Sequence, residues 1–180
     1  MINIARVAYG DENSSPAVKA LADQIRSERD GRMLNLYSML LNAPPVAEGW
    51  LALFTAIRQQ CTLRGDYREL VILRVVLLNG AAYEYQAHIP FALREGVTQT
   101  QIDALERWEN SPALTPAQRA VLAYTDSMTR EIHVPDAVFD ALRGYFNKRE
   151  IVELTATIGS YNLVSRFLEA LAVDPEQAQA

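Results

Sequence analysis

Residues 68–88, RELVILRVVLLNGAAYEYQAH, decide how this chain folds. The first eleven of them are apolar on nearly every side of a 3.6-residue repeat. A helix apolar all round is a central, buried one. Glu69 and Arg74 interrupt that run, and a buried charge must be paired or neutralised. Five residues separate them, which is about 140° around a helix axis, so they do not pair with each other and each needs a partner on another helix. Asn79-Gly80 is a helix stop, because both residues tolerate a left-handed backbone. The helix that follows brings Glu84 and His88 one turn apart on the same face. A carboxylate beside an imidazole fixes its tautomer and raises its basicity, which makes an acid–base unit near neutral pH. The break at Asn79-Gly80 lets Glu69 reach the same place.

Working outward, the rest of the chain reads as further helices. Residues 1–14 are expected as an extended arm. Ser15-Pro16 is a helix start, with serine as cap and proline at the first helical position, and Gly31 ends that segment. A short helix over 35–41 is broken by Pro44-Pro45, which opens another to about Thr62. Asp66 is expected to cap a helix over 67–78. A helix over 81–94 contains Pro90, where a kink or a tightened turn is expected because proline removes a backbone donor. Thr98 caps a helix to about Trp108, Thr115-Pro116 starts one to about Arg130, and Val134-Pro135 starts one to about Phe146. The last helix covers 148–172 and contains Gly159, which costs about 1 kcal/mol relative to alanine in a helix interior and leaves room for close helix approach or a ligand. Its polar residues Glu153, Thr155, Thr157, Asn162 and Arg166 suggest buried pairs, such as Arg74 with Glu153. Residues 174–180 are expected to fray. The fold class is all-α, a single-domain helical bundle over 1–180.

Composition narrows the chemistry. The chain has 180 residues, 49% apolar and 22% charged, and at that length one domain buries roughly 70% of the unfolded surface. One cysteine and two histidines exclude a disulfide framework, a CxxC pair and a zinc finger. A net charge of −5 argues against nucleic acid as a partner. The longest stretch free of charge, residues 33–47, is broken by two prolines and too short to span a bilayer, so no membrane partner is expected. No apolar signal-peptide core stands at the N-terminus, and the expected location is cytoplasmic. Cys61 reads as a small hydrophobe and His133 as a loop residue. Tyr37, Tyr83, Tyr85 and Tyr161 fit either a core or a cavity wall.

The stretch RELVILRVVLLNGAAYEYQAHIPFALREGVTQTQIDAL resembles the carboxymuconolactone decarboxylase family, which shares its fold with alkylhydroperoxidase D. GRMLNLYSMLLNAPPVAEGWLALFTAI is similar to that family's N-terminal helical region, and REIVELTATIGSYNLVSRFLEAL to its C-terminal helix. The most specific element is a glutamate nineteen residues before a histidine. By this resemblance Glu69 matches the family's relay glutamate and His88 its relay histidine. The peroxidase branch carries a CxxC ahead of that histidine, whose positions fall here on Ala81 and Glu84. Thiolate is the peroxidase nucleophile, so the resemblance implies no peroxidase chemistry and points to the decarboxylase-like branch.

The resemblance further implies a cofactor-free carboxy-lyase acting on 4-carboxymuconolactone or a related lactone or keto acid in aromatic catabolism. His88 would move the proton, with Glu69 and Glu84 tuning it. An arginine would hold the substrate carboxylate; Arg74, Arg166 and Arg32 are candidates, with Tyr83 beside the site. No metal is expected. A metal-dependent enzyme using Glu69, Glu84 and His88 is one alternative, and a non-catalytic, oligomeric ligand-binding protein is another. The family's habit implies a homo-oligomer, a trimer or hexamer.

Overall fold

The computed structural model describes residues 5–176. Among these residues every regular element is helical: α1 (Pro16–Glu28), α2 (Asn35–Leu40), α3 (Pro44–Thr55), α4 (Gly65–Leu78), α5 (Ala82–Arg94), α6 (Gln99–Asp103), α7 (Pro116–Arg130), α8 (Asp136–Leu142) and α9 (Lys148–Leu171). The all-α expectation holds. Two compact units are recognisable. One runs to Gln60 and resumes at Phe167; the other is Cys61–Arg166. The first boundary follows a helical turn and the second falls inside α9, so neither lies in a linker.

In the first unit, the Ser15 hydroxyl accepts from the Val18 amide and caps α1. The buried stripe Val18, Leu21, Ala22 and Ile25 follows at helical spacing. The helix after Pro44-Pro45 is shorter than expected. It ends at Thr55 and continues as a wider π-helical turn, Ala56–Gln60. Trp50 stacks on Phe54 and packs against Phe167. The N-terminal arm, from Ala5 onward, is tied down: Arg6 donates to the Leu171 carbonyl and Gly10 to that of Ser38. The expected fraying does not begin at Asp174. Its carboxylate accepts from the Tyr9 hydroxyl at 2.8 Å, and Glu176 accepts from the Asn35 amide at 2.6 Å. Residues 1–4 and 177–180 of the arm and tail lie outside the described residues.

In the second unit, α4 is the hub. Every residue from Glu69 to Val76 is buried, as an all-round apolar helix requires. Leu70 and Leu73 join Ala92, Val97, Ile102, Leu105, Trp108, Leu114 and Leu122 in one core. Asp66 does not cap α4. It sits within the first turn and pairs with Arg64 at 2.8 Å, where a carboxylate still faces the positive helix end. Gly80 takes φ +70°, the left-handed stop expected there. The helix α5 runs unbroken through Pro90. Thr98 and Thr115 each cap their helices in a two-way box, with Gln101 and Gln118 returning the bond. The helix from Thr98 changes to a 3₁₀ stretch over Ala104–Asn110, and α8 stops at Leu142.

Arg74 is part of this architecture. Its Nε and Nη2 each donate to Asp126 of α7 at 2.6 Å, and Nη1 donates to the Leu105 carbonyl at 2.7 Å. The expected partner Glu153 is elsewhere. Its Oε2 accepts from the Thr62 amide, the Thr62 hydroxyl and the Leu63 amide, and its Oε1 accepts from Arg149. Burial works against that carboxylate, but these bonds outweigh it and hold Glu153 below the usual range. Replacing one member of a buried ion pair leaves the other charge uncompensated. Asp126→Ala should therefore destabilise the chain by about 3–5 kcal/mol in chemical denaturation. Arg74→Met/Asp126→Leu should recover most of that loss. Equal losses in the single and double variants would show that the pair is not what the site costs.

Candidate active site

The stop at Asn79-Gly80 turns the chain so that α5 returns along α4, and this places His88 against Glu69 across nineteen residues. Glu69 Oε2 lies 2.9 Å from His88 Nδ1. Glu84 Oε2, one turn back on α5, lies 3.5 Å from His88 Nε2. All three side chains are buried: Glu69 is 3% exposed, Glu84 8% and His88 6%. Tyr161 meets the imidazole edge-to-face at a centroid distance of 5.2 Å, and Phe91 packs at 5.6 Å.

Two opposed effects set the charge of this ring. Burial pulls its proton affinity down, while the hydrogen bonds and negative charge of Glu69 and Glu84 push it up. The carboxylates win, and the His88 pKa rises from 6.5 to about 9. The ring is therefore an imidazolium at neutral pH, held between two acceptors. The Nδ1 contact is tight and the Nε2 contact long, so Nε2–H is the proton that another acceptor can compete for.

The sequence-derived site residues fall into two groups. Glu69, Glu84 and His88 come together. Arg74 does not serve as a substrate anchor: its guanidinium is committed to Asp126 and Leu105, and the residue is 3% exposed. Arg166 is exposed on α9, with Nη1 donating to the Asn162 carbonyl and to Asn162 Oδ1. Asn162 also links Asn79 and Thr129. Tyr83 is half-buried in the first turn of α5. Arg32 is exposed and belongs to the other compact unit. Cys61 is half-buried, and burial followed by the charge of Glu153 pushes its thiol up. His133 is exposed in the loop after α7.

Sequence reading missed Arg68. It donates to Glu69 Oε1 at 3.3 Å through Nε and to Glu95 Oε1 at 2.9 Å through Nη2. Neighbours one apart on a helix do not ordinarily face each other, so no spacing rule flags this contact. Tyr161 was noted only as an aromatic of undecided role. The metal alternative meets a geometric obstacle. Glu69 and Glu84 lie on opposite nitrogens of one ring, so the three groups do not converge on a point. Among the described residues no cluster of three or more His, Cys, Asp or Glu is arranged to hold a metal ion. No helix among them is long and apolar enough to cross a membrane.

Comparison with known proteins agrees with the fold. Residues 44–127 match the Carboxymuconolactone decarboxylase family. YdfG of Bacillus subtilis strain 168, an uncharacterized protein, is 26% identical over 115 residues, 63% of this chain and 78% of its own. An Agrobacterium tumefaciens protein of unknown function, associated with AhpD and antioxidant defence, superposes with a TM-score of 0.71 at 26% identity, covering 77% of this chain and 96% of that one. The alkylhydroperoxidase AhpD core of an uncharacterized peroxidase-related protein from Ralstonia eutropha JMP134 gives a TM-score of 0.83 at 20% identity, covering 98% and 95%. The debrominase Bmp8, solved with 2,3,4-tribromopyrrole, gives 0.79 at 18% identity, covering 97% and 94%. The last two likenesses are of fold alone. Residues 44–127 are thus similar to the carboxymuconolactone decarboxylase family, the chain takes the AhpD-like helical fold, and its one cysteine leaves no CxxC pair.

Proposed function

We propose that the chain is a cofactor-free carbon–carbon lyase that decarboxylates 4-carboxymuconolactone, or a related lactone or keto acid of aromatic catabolism, by acid–base chemistry. The observation that carries this reading is the buried ring of His88 set between Glu69 and Glu84, with no cysteine at position 81 or 84. Such a group is a proton donor, and a proton donor is what the reaction lacks. The carbon–carboxylate bond breaks, CO₂ leaves, and the electron pair delocalises into the lactone carbonyl as a dienolate. Nε2–H of His88 then protonates carbon. Glu69 keeps the Nδ1 proton and the ring orientation throughout, and water restores the lost proton. Arg166 is the candidate anchor for the anionic substrate, since no carboxylate among the described residues pairs with it; Tyr83 is the candidate wall.

Assembly forms part of the same reading. The α9 stripe Val152, Ala156, Gly159 and Leu163 faces outward, with Val152 67% and Leu163 46% exposed. A Cβ on Gly159 would meet nothing within 4 Å. An apolar stripe of this spacing on an exposed helix suits a second copy of the chain, and a trimer or hexamer is the proposed state.

Three measurements test these statements. His88→Ala should lower decarboxylation, followed by ultraviolet absorbance of 4-carboxymuconolactone, by about 10²–10⁴-fold with circular dichroism unchanged. Full activity in that variant would remove the role given to His88, and hydroperoxide turnover by the unaltered chain would favour a different chemistry. The pH profile follows from the raised pKa. The active form is protonated, so kcat/KM should hold through neutrality and fall as pH rises through about 9. In Glu69→Gln the ring loses its strongest acceptor, and the limb should move toward the ordinary 6.5. Light scattering at micromolar concentration should report an oligomer, and Leu163→Glu should dissociate it; a monomeric parent chain would sink the assembly proposal.

A further inference from the structure

We propose that Arg68 and Glu95 are positioning residues of this site, and that Gly65 provides the space that lets them act. The inference rests on the reading of His88 as the proton carrier. A guanidinium beside a carboxylate ordinarily takes both oxygens in a two-pronged grip. Had Arg68 gripped Glu69 in that way, Oε2 would be shared between the guanidinium and His88, and its hold on Nδ1–H would be weaker. The structure divides the guanidinium instead. Nη2 goes to Glu95 Oε1 at 2.9 Å, and only Nε faces Glu69, on Oε1, at 3.3 Å. Glu69 Oε2 is thereby left to His88 Nδ1.

The division depends on where the Glu95 head group sits. Glu95 is the residue that ends α5, and its carboxylate curls over Gly65, the first residue of α4. A Cβ at position 65 would lie 1.7 Å from Glu95 Oε2 and 2.3 Å from its Cδ, so any side chain there displaces the carboxylate. A glycine with no positive φ is thus explained by the neighbour it admits. Arg68 and Glu69 are themselves largely enclosed, with side chains 11% and 4% exposed, while Glu95 reaches solvent at 43%. Glu69 approaches His88 from α4 and Glu84 from α5, with the rings of Tyr161 and Phe91 beside it. Arg68 faces Glu69 and Glu95, with Cys61 within electrostatic range.

The test uses the full chain labelled with ¹⁵N-histidine, without substrate, so a failed lactone assay and a failed positioning role are separate outcomes. The chain has two histidines, and His133→Gln assigns the His88 signal. In Arg68→Gln the His88 midpoint should fall by about one unit or more, because the oxygen that holds its Nδ1 proton is no longer fixed. Loss of a nearby cation alone would move that midpoint upward, so the direction separates positioning from simple charge removal. Gly65→Ala should lower the midpoint in the same direction, since it dislodges only the flexible end of Glu95. It also decides the matter should Arg68→Gln fail to fold. An unchanged or raised His88 midpoint in either folded variant overturns the assignment.

Discussion

A helix enclosed on all sides tolerates charge only where each charge is met by a partner, because the cost of removing an ion from water exceeds what a poorly aligned contact returns. The helix α4 carries two such charges and resolves them differently. Arg74 is met by a two-pronged bond to Asp126 and a third bond to a carbonyl. That arrangement is closed and static, and it ties α4 to α7. Glu69 is met by one nitrogen of Arg68 and one nitrogen of His88. It ties α4 to α5 through a group that can change its protonation. The first pairing serves the fold. The second serves both the fold and the chemistry proposed for it.

The features legible in the sequence are those set by neighbouring residues. The run from Leu70 to Val76 could only be a buried helix, and Asn79-Gly80 could only end it. Ser15, Thr98 and Thr115 cap their helices because a side-chain oxygen lies within reach of an amide three residues on. The i,i+4 spacing of Glu84 and His88 needs no tertiary information. Several of the misreadings are contests between partners. Asp66 could have capped α4, but Arg64 claims it. Arg74 reads as a partner for Glu153 or as an anchor because Asp126, fifty-two residues away, leaves no mark near it. Arg68 and Gly65 passed without remark because Glu95, which gives both their meaning, lies a full helix later.

The shared fold and the departure within it point the same way. A TM-score of 0.83 at 20% identity means that the helical frame survives replacement of most side chains. Within that frame, Glu84 stands one turn before His88 and the only cysteine lies outside the motif. A thiol at that place would confer nucleophilic and redox chemistry. A carboxylate confers neither; it binds the imidazolium and holds its proton. On the reading proposed here, exchanging sulfur for carboxylate converts one position from an attacking group to a tuning group.

The inequality of the two contacts to His88 then acquires a direction. Burial alone would strip the ring of its proton, and two carboxylates at full strength would hold it too firmly to give up. On the proposed reading the site stands between these limits, with one contact at 2.9 Å and the other at 3.5 Å. The short bond fixes the tautomer and the plane of the ring. The long one leaves a proton on Nε2 that an electron-rich carbon can take. Transfer of that proton removes a buried positive charge, which the apolar surroundings favour, and leaves two carboxylates facing a neutral ring, which they oppose. The second effect is the larger, since the pKa stands at about 9, so on the proposed reading the ring regains its proton from water after each turnover.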